Sequence, residues 1–371
     1  MKINKFIPVN RPVIGIYEKK FLLDAFNKNQ LTSGPHLSKF EKKFASIHNR
    51  KYGISVSNGT AALEVALKSL NLKRNSEVII PSFSIISTAL CVVKNNLKPV
   101  FVDCDLKTWN VSYAKVKKKI TKKTSAIIIT HIYGLPVDMK KILTFAKKKK
   151  IKIIEDAAEV IGLKYKNRLC GSYGDISTFS FYANKHITTG EGGMILTNNK
   201  NLYNKCNSLK NLCFKKSYYK RFVHEDIGWN YRMSNIQAAI GLGQLKNIKK
   251  IVKKKIETGN YFYDKIKEIP YLMLQTNKTD YSKNIYWVFG IVLKGKYKNK
   301  KNEIMKKLLE LGIETRPFFY PMHKQKVLNK KRIDLPNSEY ISKNGFYIPS
   351  GLGLKKKEIK YVVKCLKEII I

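Results

Sequence analysis

The chain has 371 residues, of which 44% are hydrophobic, and carries a formal net charge of +46. This is enough length and apolar content for one large domain and a smaller one, each around a buried core. The charge by itself calls for nucleic acid or an anionic surface. However, only eight of the 72 basic residues are arginine, leaving 64 lysines in a chain also rich in Asn and Ile. That skew reads as coding bias in an AT-rich genome, and the lysine clusters at 117–119, 147–150, 253–255 and 355–357 read as helix ends and solvated faces. No nucleic-acid partner is expected.

In chain order, the N-terminal run MKINKFIPVNRP is too short an apolar stretch for a signal peptide, and no segment is long and apolar enough to span a membrane. A cytoplasmic protein is expected. From about 55 to 200, short β-branched runs alternate with helical patterns, the signature of an α/β fold with a mainly parallel sheet covered by helices. The predicted strands are 77–81, 99–103, 125–130, 152–156, 176–181 and 193–197. Helices are predicted over 60–70 and 138–149, each with apolar residues on one face. After Met233 comes long Lys-rich helical periodicity (236–267), then an alternating strand-like stretch NIYWVFGIVL (284–293) and a last helix over 358–370. This divides the chain into a large domain, 1–247, and a smaller C-terminal α+β domain, 248–371. The six cysteines show neither CxxC spacing nor a metal-ligand pattern with histidine, so they are expected to be reduced, mostly buried thiols, and no metal site is expected.

The most informative run is FSFYANKHITTGEGG (179–193), in which Lys185 follows an aromatic strand and precedes a glycine-rich turn. An amine becomes a covalent catalyst when desolvation and nearby positive charge let it lose its proton near neutral pH. Two further motifs give Lys185 its meaning. In SNGTAAL, Gly59 and Thr60 open a helix whose free N–H groups and dipole suit a phosphate. In IIEDAAE, Asp156 ends a buried strand, where a carboxylate can hold a pyridine nitrogen protonated. Ser180, five residues before Lys185, adds a hydroxyl for the phosphate. Amine, ring anchor and phosphate cradle are the three handles of pyridoxal 5'-phosphate (PLP).

With these motifs, HIYGLPVDM, GWNYRMSNIQAAIG (228–241) and GIETRPFFYPMH (312–323) make the chain resemble the DegT/StrS-like sugar-nucleotide aminotransferases over its whole length. These belong to the fold-type I PLP enzymes, which have a large domain built on a mainly parallel seven-stranded sheet. The resemblance implies that Lys185 carries the cofactor and that Asp156 pairs with its pyridine nitrogen. It also implies that Gly59, Thr60 and Ser180 hold the phosphate, and that Glu159 lies near the ring hydroxyl. Asn230 matches an asparagine that reaches the phosphate from the partner subunit, implying a homodimer with shared active sites. Glutamate is the implied amino donor, and a nucleotide-linked keto sugar the acceptor.

One departure is Ile85 in PSFSIIS, where many relatives place an aromatic that stacks on the ring; an aliphatic side chain still covers a ring face by dispersion. Related dehydratases carry histidine in place of the lysine, whereas here Lys185 is kept and His186 follows it. The combination of GIETRPFFYPMH, NIYWVFG and EDAAE is similar to the perosamine synthase-like subgroup, implying GDP-4-keto-6-deoxymannose as acceptor. UDP- or dTDP-linked 3-keto or 4-keto sugars stay open. Arg316, Tyr320 and His323 are placed near the nucleotide or sugar, with packing between domains as their other reading. A non-catalytic regulator on the same fold would lack Lys185 or Asp156, and this chain retains both.

Overall fold

A computed structural model describes residues 6–215, 217, 219–328 and 333–370. Its strands are β1 (Tyr52–Val56), β2 (Glu77–Pro81), β3 (Lys98–Val102), β4 (Thr124–Thr130), β5 (Lys152–Asp156), a small hairpin of β6 (Lys164–Tyr165) and β7 (Arg168–Leu169), then β8 (Ile176–Ser180) and β9 (Gly193–Thr197). Nearer the C-terminus follow β10 (Leu272–Leu274), β11 (Phe289–Leu293), β12 (Arg316–Pro317) and β13 (Gly345–Ile348).

Seven strands form one sheet in the order β1-β9-β8-β5-β4-β2-β3. β3, β2, β4, β5 and β8 pair in parallel, and β9 runs antiparallel to both β8 and β1. Both faces are covered. In β4, Ile127 and Ile129 join the core on one side while Ala126 and Ile128 join the core on the other, which is why this strand reads as a continuous apolar run. The sheet is thus the α/β, mainly parallel one expected, with one reversed strand and with β1 as a seventh member outside the predicted set. All six cysteines are buried and unbridged.

The second sheet, β10-β11-β13-β12, is antiparallel and packs against the helices Ile248–Ile266, Lys301–Glu310 and Lys356–Ile369 around its own core. Between the two sheets lies an aromatic cluster that joins Phe83, Trp109 and Tyr133 from one side to Trp287 and Phe318 from the other.

Three expectations need correction. The helical run predicted over 236–267 is two helices, Asn235–Lys246 and Ile248–Ile266, broken at Asn247, whose backbone (φ −107°, ψ 5°) leaves the helical region. Of the strand predicted over 284–293, only Phe289–Leu293 is extended in the sheet. Tyr286 sits at φ 52°, and the Ile285 N–H donates to Gly134 O instead of to a neighbouring strand (2.9 Å). Lys255, read as part of a solvated cluster, is buried and donates to the carbonyls of Trp287 and Ser350 (3.0 and 2.5 Å). Among the described residues, no helix is long and apolar enough to cross a membrane.

Candidate active site

Because β1, β8, β5, β4 and β2 all point the same way, their carboxyl ends meet along one edge of the sheet, where ligands bind in such folds. Four of these ends deliver residues to it. Asn58, Gly59 and Thr60 follow β1, Ser180 ends β8 and Asp156 ends β5, while Ile85 lies on the loop after β2. Lys185 arrives from the turn after β8, its N–H bonded to Tyr182 O at 2.9 Å. Together with Glu159 these residues line a cavity of about 620 Å³. Six of the residues singled out from sequence for cofactor contact therefore come together: Gly59, Thr60, Asp156, Glu159, Ser180 and Lys185.

The floor of the cavity is built for an anion. Asn58 caps the helix Gly59–Ser69 by accepting the Ala61 N–H (2.8 Å), and its carbonyl takes the N–H of Ala62. That leaves the N–H groups of Gly59 and Thr60 without helical partners at the positive end of the helix dipole. A Cβ on Gly59 would stand 2.7 Å from Ser180 Cβ, so glycine is what lets the helix end approach Ser180. Thr60 Oγ1 and Ser87 Oγ are hydrogen bonded at 2.7 Å.

Beside this cradle, Lys185 Nζ lies 3.9 Å from Glu159 Oε1. Burial pushes the Lys185 amine below the usual lysine range, opposed by the charges of Glu159 and Asp156. Burial also pushes the Asp156 carboxyl up, against the Ala158 N–H that Oδ1 accepts (3.2 Å) and the charge of Lys185. Glu159 is pushed up to about 7 by burial, with Lys185 and the N–H of Tyr133 (2.7 Å to Oε2) pulling the other way. An amine and two carboxyls drawn toward neutrality in one cavity are suited to carrying protons.

The model of the DegT/DnrJ/EryC1/StrS aminotransferase family matches residues 13–367. The chain belongs to that family. It is 37% identical over 368 residues to a GDP-perosamine synthase of Escherichia coli O157:H7, an alignment covering 98% of each chain. Among solved structures, PseC of Helicobacter pylori, an aminotransferase of pseudoaminic acid biosynthesis, superposes with a TM-score of 0.94 at 23% identity, covering 99% of each chain. A mutant of GDP-4-keto-6-deoxymannose-3-dehydratase (ColD) with bound GDP-perosamine superposes at 0.90 and 25% identity, covering 97% of this chain and all of that one. The fold is therefore that of the PLP-dependent aminotransferases, as the sequence resemblance implied.

Other positions in this aminotransferase lie away from the cavity. Asn230 is exposed, bridged to Asn211, and does not line it. Nor do Arg316, Tyr320 and His323. Arg316 is exposed and paired with Glu314 (2.9 Å), and Tyr320 is exposed. His323 is buried between Ser82 Oγ (2.6 Å to Nδ1) and Glu339 Oε1 (2.9 Å to Nε2), tying the loop after β2 to the helix Pro336–Asn344.

The cavity also holds residues that sequence reasoning did not single out. Trp287, Phe319 and Tyr347 roof it from the C-terminal part of the chain, and Glu64, Lys94 and Tyr231 form one wall. Glu64 is fully buried, yet it accepts from Lys94 Nζ (2.7 Å) and Tyr231 Oη (2.8 Å). Trp287 and Phe319 stand inside motifs that carried the resemblance, which was the available signal. Glu64 reads as one more polar residue on a helix.

Proposed function

We propose that this protein is a PLP-dependent aminotransferase that moves the amino group of glutamate onto the 4-keto carbon of GDP-4-keto-6-deoxymannose, producing GDP-perosamine. The observation that carries the reading is the meeting of Lys185, Asp156 and the Gly59–Ser180 anion cradle in one cavity. The choice of acceptor is supported by the kinship to GDP-perosamine synthase and by the likeness to a dehydratase fold that binds GDP-perosamine.

The residues fit the cofactor. The gap kept open at Gly59 and the two unpartnered helix N–H groups suit a phosphate, with the Ser180 hydroxyl beside them. Asp156, buried at the end of β5, suits a ring nitrogen whose proton would restore the carboxylate's charge. When bound, PLP takes an amino group from a donor and passes it to a carbonyl carbon, its protonated ring acting as an electron sink.

The chain's own residues then have distinct tasks. Gly59, Thr60 and Ser180 hold the phosphate, and Ile85 covers a face of the ring by dispersion contact. Asp156 keeps the ring proton in place. Lys185 Nζ accepts a proton from the amino-bearing carbon of the donor and later gives one to the sugar carbon that becomes the amine-bearing centre. Glu159, close enough to share charge with Nζ, keeps that nitrogen within reach of both positions. Asn230 completes the phosphate site of the neighbouring subunit in a homodimer. Residues 1–247 form the cofactor-binding domain and 248–371 the smaller domain over it. The buried, unbridged cysteines support a cytoplasmic setting.

The test is incubation of purified protein, PLP and glutamate with GDP-, UDP- and dTDP-linked keto sugars, followed by mass analysis. We expect amination of the GDP-linked 4-keto sugar and none by Lys185→Ala, which should still fold and retain cofactor through the phosphate contacts. Amination of a UDP or dTDP sugar alone would overturn the acceptor, and a protein that takes up no PLP would overturn the whole reading.

A further inference from the structure

Lys185 Nζ meets an indole face as well as a carboxylate. Nζ stands 3.5 Å from the centroid of the Trp287 ring, closer than its 3.9 Å to Glu159. A cation over the face of tryptophan is attracted by the ring quadrupole, more strongly where water is excluded, and a neutral amine is not. Here both partners are removed from water: the Lys185 side chain is 10% exposed and Trp287 6%.

The ring is fixed independently of any ligand. Its Nε1–H donates to Asn184 O (3.0 Å), on the residue next to Lys185, and the buried Lys255 ammonium holds its backbone carbonyl (3.0 Å). Tyr133 and Phe319 pack around it at ring-centroid distances of 5.7 and 6.4 Å. Behind it, Gly134 allows the close approach of the chain, since a Cβ there would stand 2.5 Å from Tyr286 N and 2.6 Å from Trp287 N.

We infer that the Trp287 indole is the seat of the Lys185 ammonium whenever that nitrogen is not joined to the cofactor, which makes Trp287 a positioning residue of the aminotransfer reaction. The inference rests on the function proposed above. It assigns the ring a task that Glu159 and Asp156 do not perform. Between accepting a proton and delivering it, Nζ has to stay charged in a buried cavity, and the ring face rewards the charged form there. The other titratable groups acting on Nζ are Asp156, Glu159 and His186, with Lys255 behind His186 and on the Trp287 carbonyl. The two carboxyls favour the charged form, while burial opposes it and leaves His186 neutral.

The test uses cofactor-free protein. The pH dependence of Lys185 acylation by a small anhydride, followed by peptide mass spectrometry, reports the protonation of Nζ. With Trp287→Leu we expect the midpoint to fall by about one pH unit, whereas Trp287→Phe keeps a ring face and moves less than half as far. Equal midpoints in wild type and a folded Trp287→Leu protein would overturn the proposal.

Should the leucine variant not fold, wild-type protein decides. After reductive methylation with ¹³C, the signal lost in Lys185→Arg should lie upfield of the other lysine methyls through the indole ring current. A Lys185 signal inside the common envelope would be the contrary result. Neither measurement depends on turnover, so a protein that binds no PLP would refute the proposed function by a separate result.

Discussion

At the scale of single residues, burial in the cavity draws the Lys185 amine down and the Asp156 and Glu159 carboxyls up, each held back by the opposite charge beside it. Asp156 shows what this arrangement does. Buried in the cavity it is pushed toward the neutral acid, but beside a cationic ring nitrogen its charged form would gain a charge-assisted hydrogen bond. Asp156→Asn keeps the shape and removes the charge, so the variant should fold and bind cofactor while losing most of its rate. Loss of a buried charged hydrogen bond costs on the order of a few kcal/mol. A drop in kcat of less than tenfold, about 1.4 kcal/mol, would contradict the role. The absorbance of the bound cofactor gives an independent check, because a ring nitrogen without its carboxylate partner should titrate at lower pH.

At the scale of elements, the site depends on close approaches that only particular positions permit. Gly59→Ala would place a methyl 2.7 Å from Ser180 Cβ, at the point where the helix end meets β8. Since both elements are set in a packed sheet, the helix N-terminus must tilt away and the anion cradle widen. We expect PLP affinity to fall at least tenfold, measured by equilibrium dialysis, with the melting temperature lowered more in saturating cofactor than in its absence, because weaker binding also gives less ligand stabilisation. Equal affinity would remove Gly59 from the phosphate site.

The elements were also the level most legible in sequence. EVIIP, KIIED and GMILT became β2, β5 and β9 with the predicted ends, because both faces of a covered sheet demand unbroken apolar runs. YGISV, which became β1, is equally long and lies just ahead of SNGTAAL, and the pattern read from about residue 55 cut through it. The break at Asn247 and the left-handed Tyr286 were hidden because helical or alternating apolar spacing continues straight through both. In the site, residues delivered by strand ends could be found from their local motifs. Tyr347 and Glu64 could not, since their placement follows from how the C-terminal sheet and the helix Gly59–Ser69 pack, which no local spacing encodes. Lys255 was misread for the same reason: it looks like its exposed neighbours until Trp287 and Ser350 are brought to it.

At the scale of the whole molecule, the placement of Asn230 bears on assembly. It is exposed and outside its own chain's cavity, while the next residue, Tyr231, is anchored to Glu64. A homodimer in which Asn230 serves the neighbouring site makes a quantitative prediction. When Lys185→Ala and Asn230→Asp proteins are mixed and allowed to exchange, each heterodimer has one site with both lesions and one with neither. Random exchange puts half of the subunits in heterodimers, so activity should recover to about a quarter of wild type per total subunit. Aspartate is chosen because its charge repels the phosphate. No recovery, with exchange verified and both parents folded and inactive, would place Asn230 within its own subunit's site or outside any site.

The walls of the cavity also order its completion in time. The cradle, the carboxyls and Lys185 come from residues 58–185, whereas the roof comes from Trp287, Phe319 and Tyr347, far later in the sequence. A ribosome making this protein therefore finishes Lys185 long before the rings that cover it. Until that later part leaves the exit tunnel, the nascent chain presents the Lys185 amine in an open trough, and enclosure of the site follows synthesis of the C-terminal sheet.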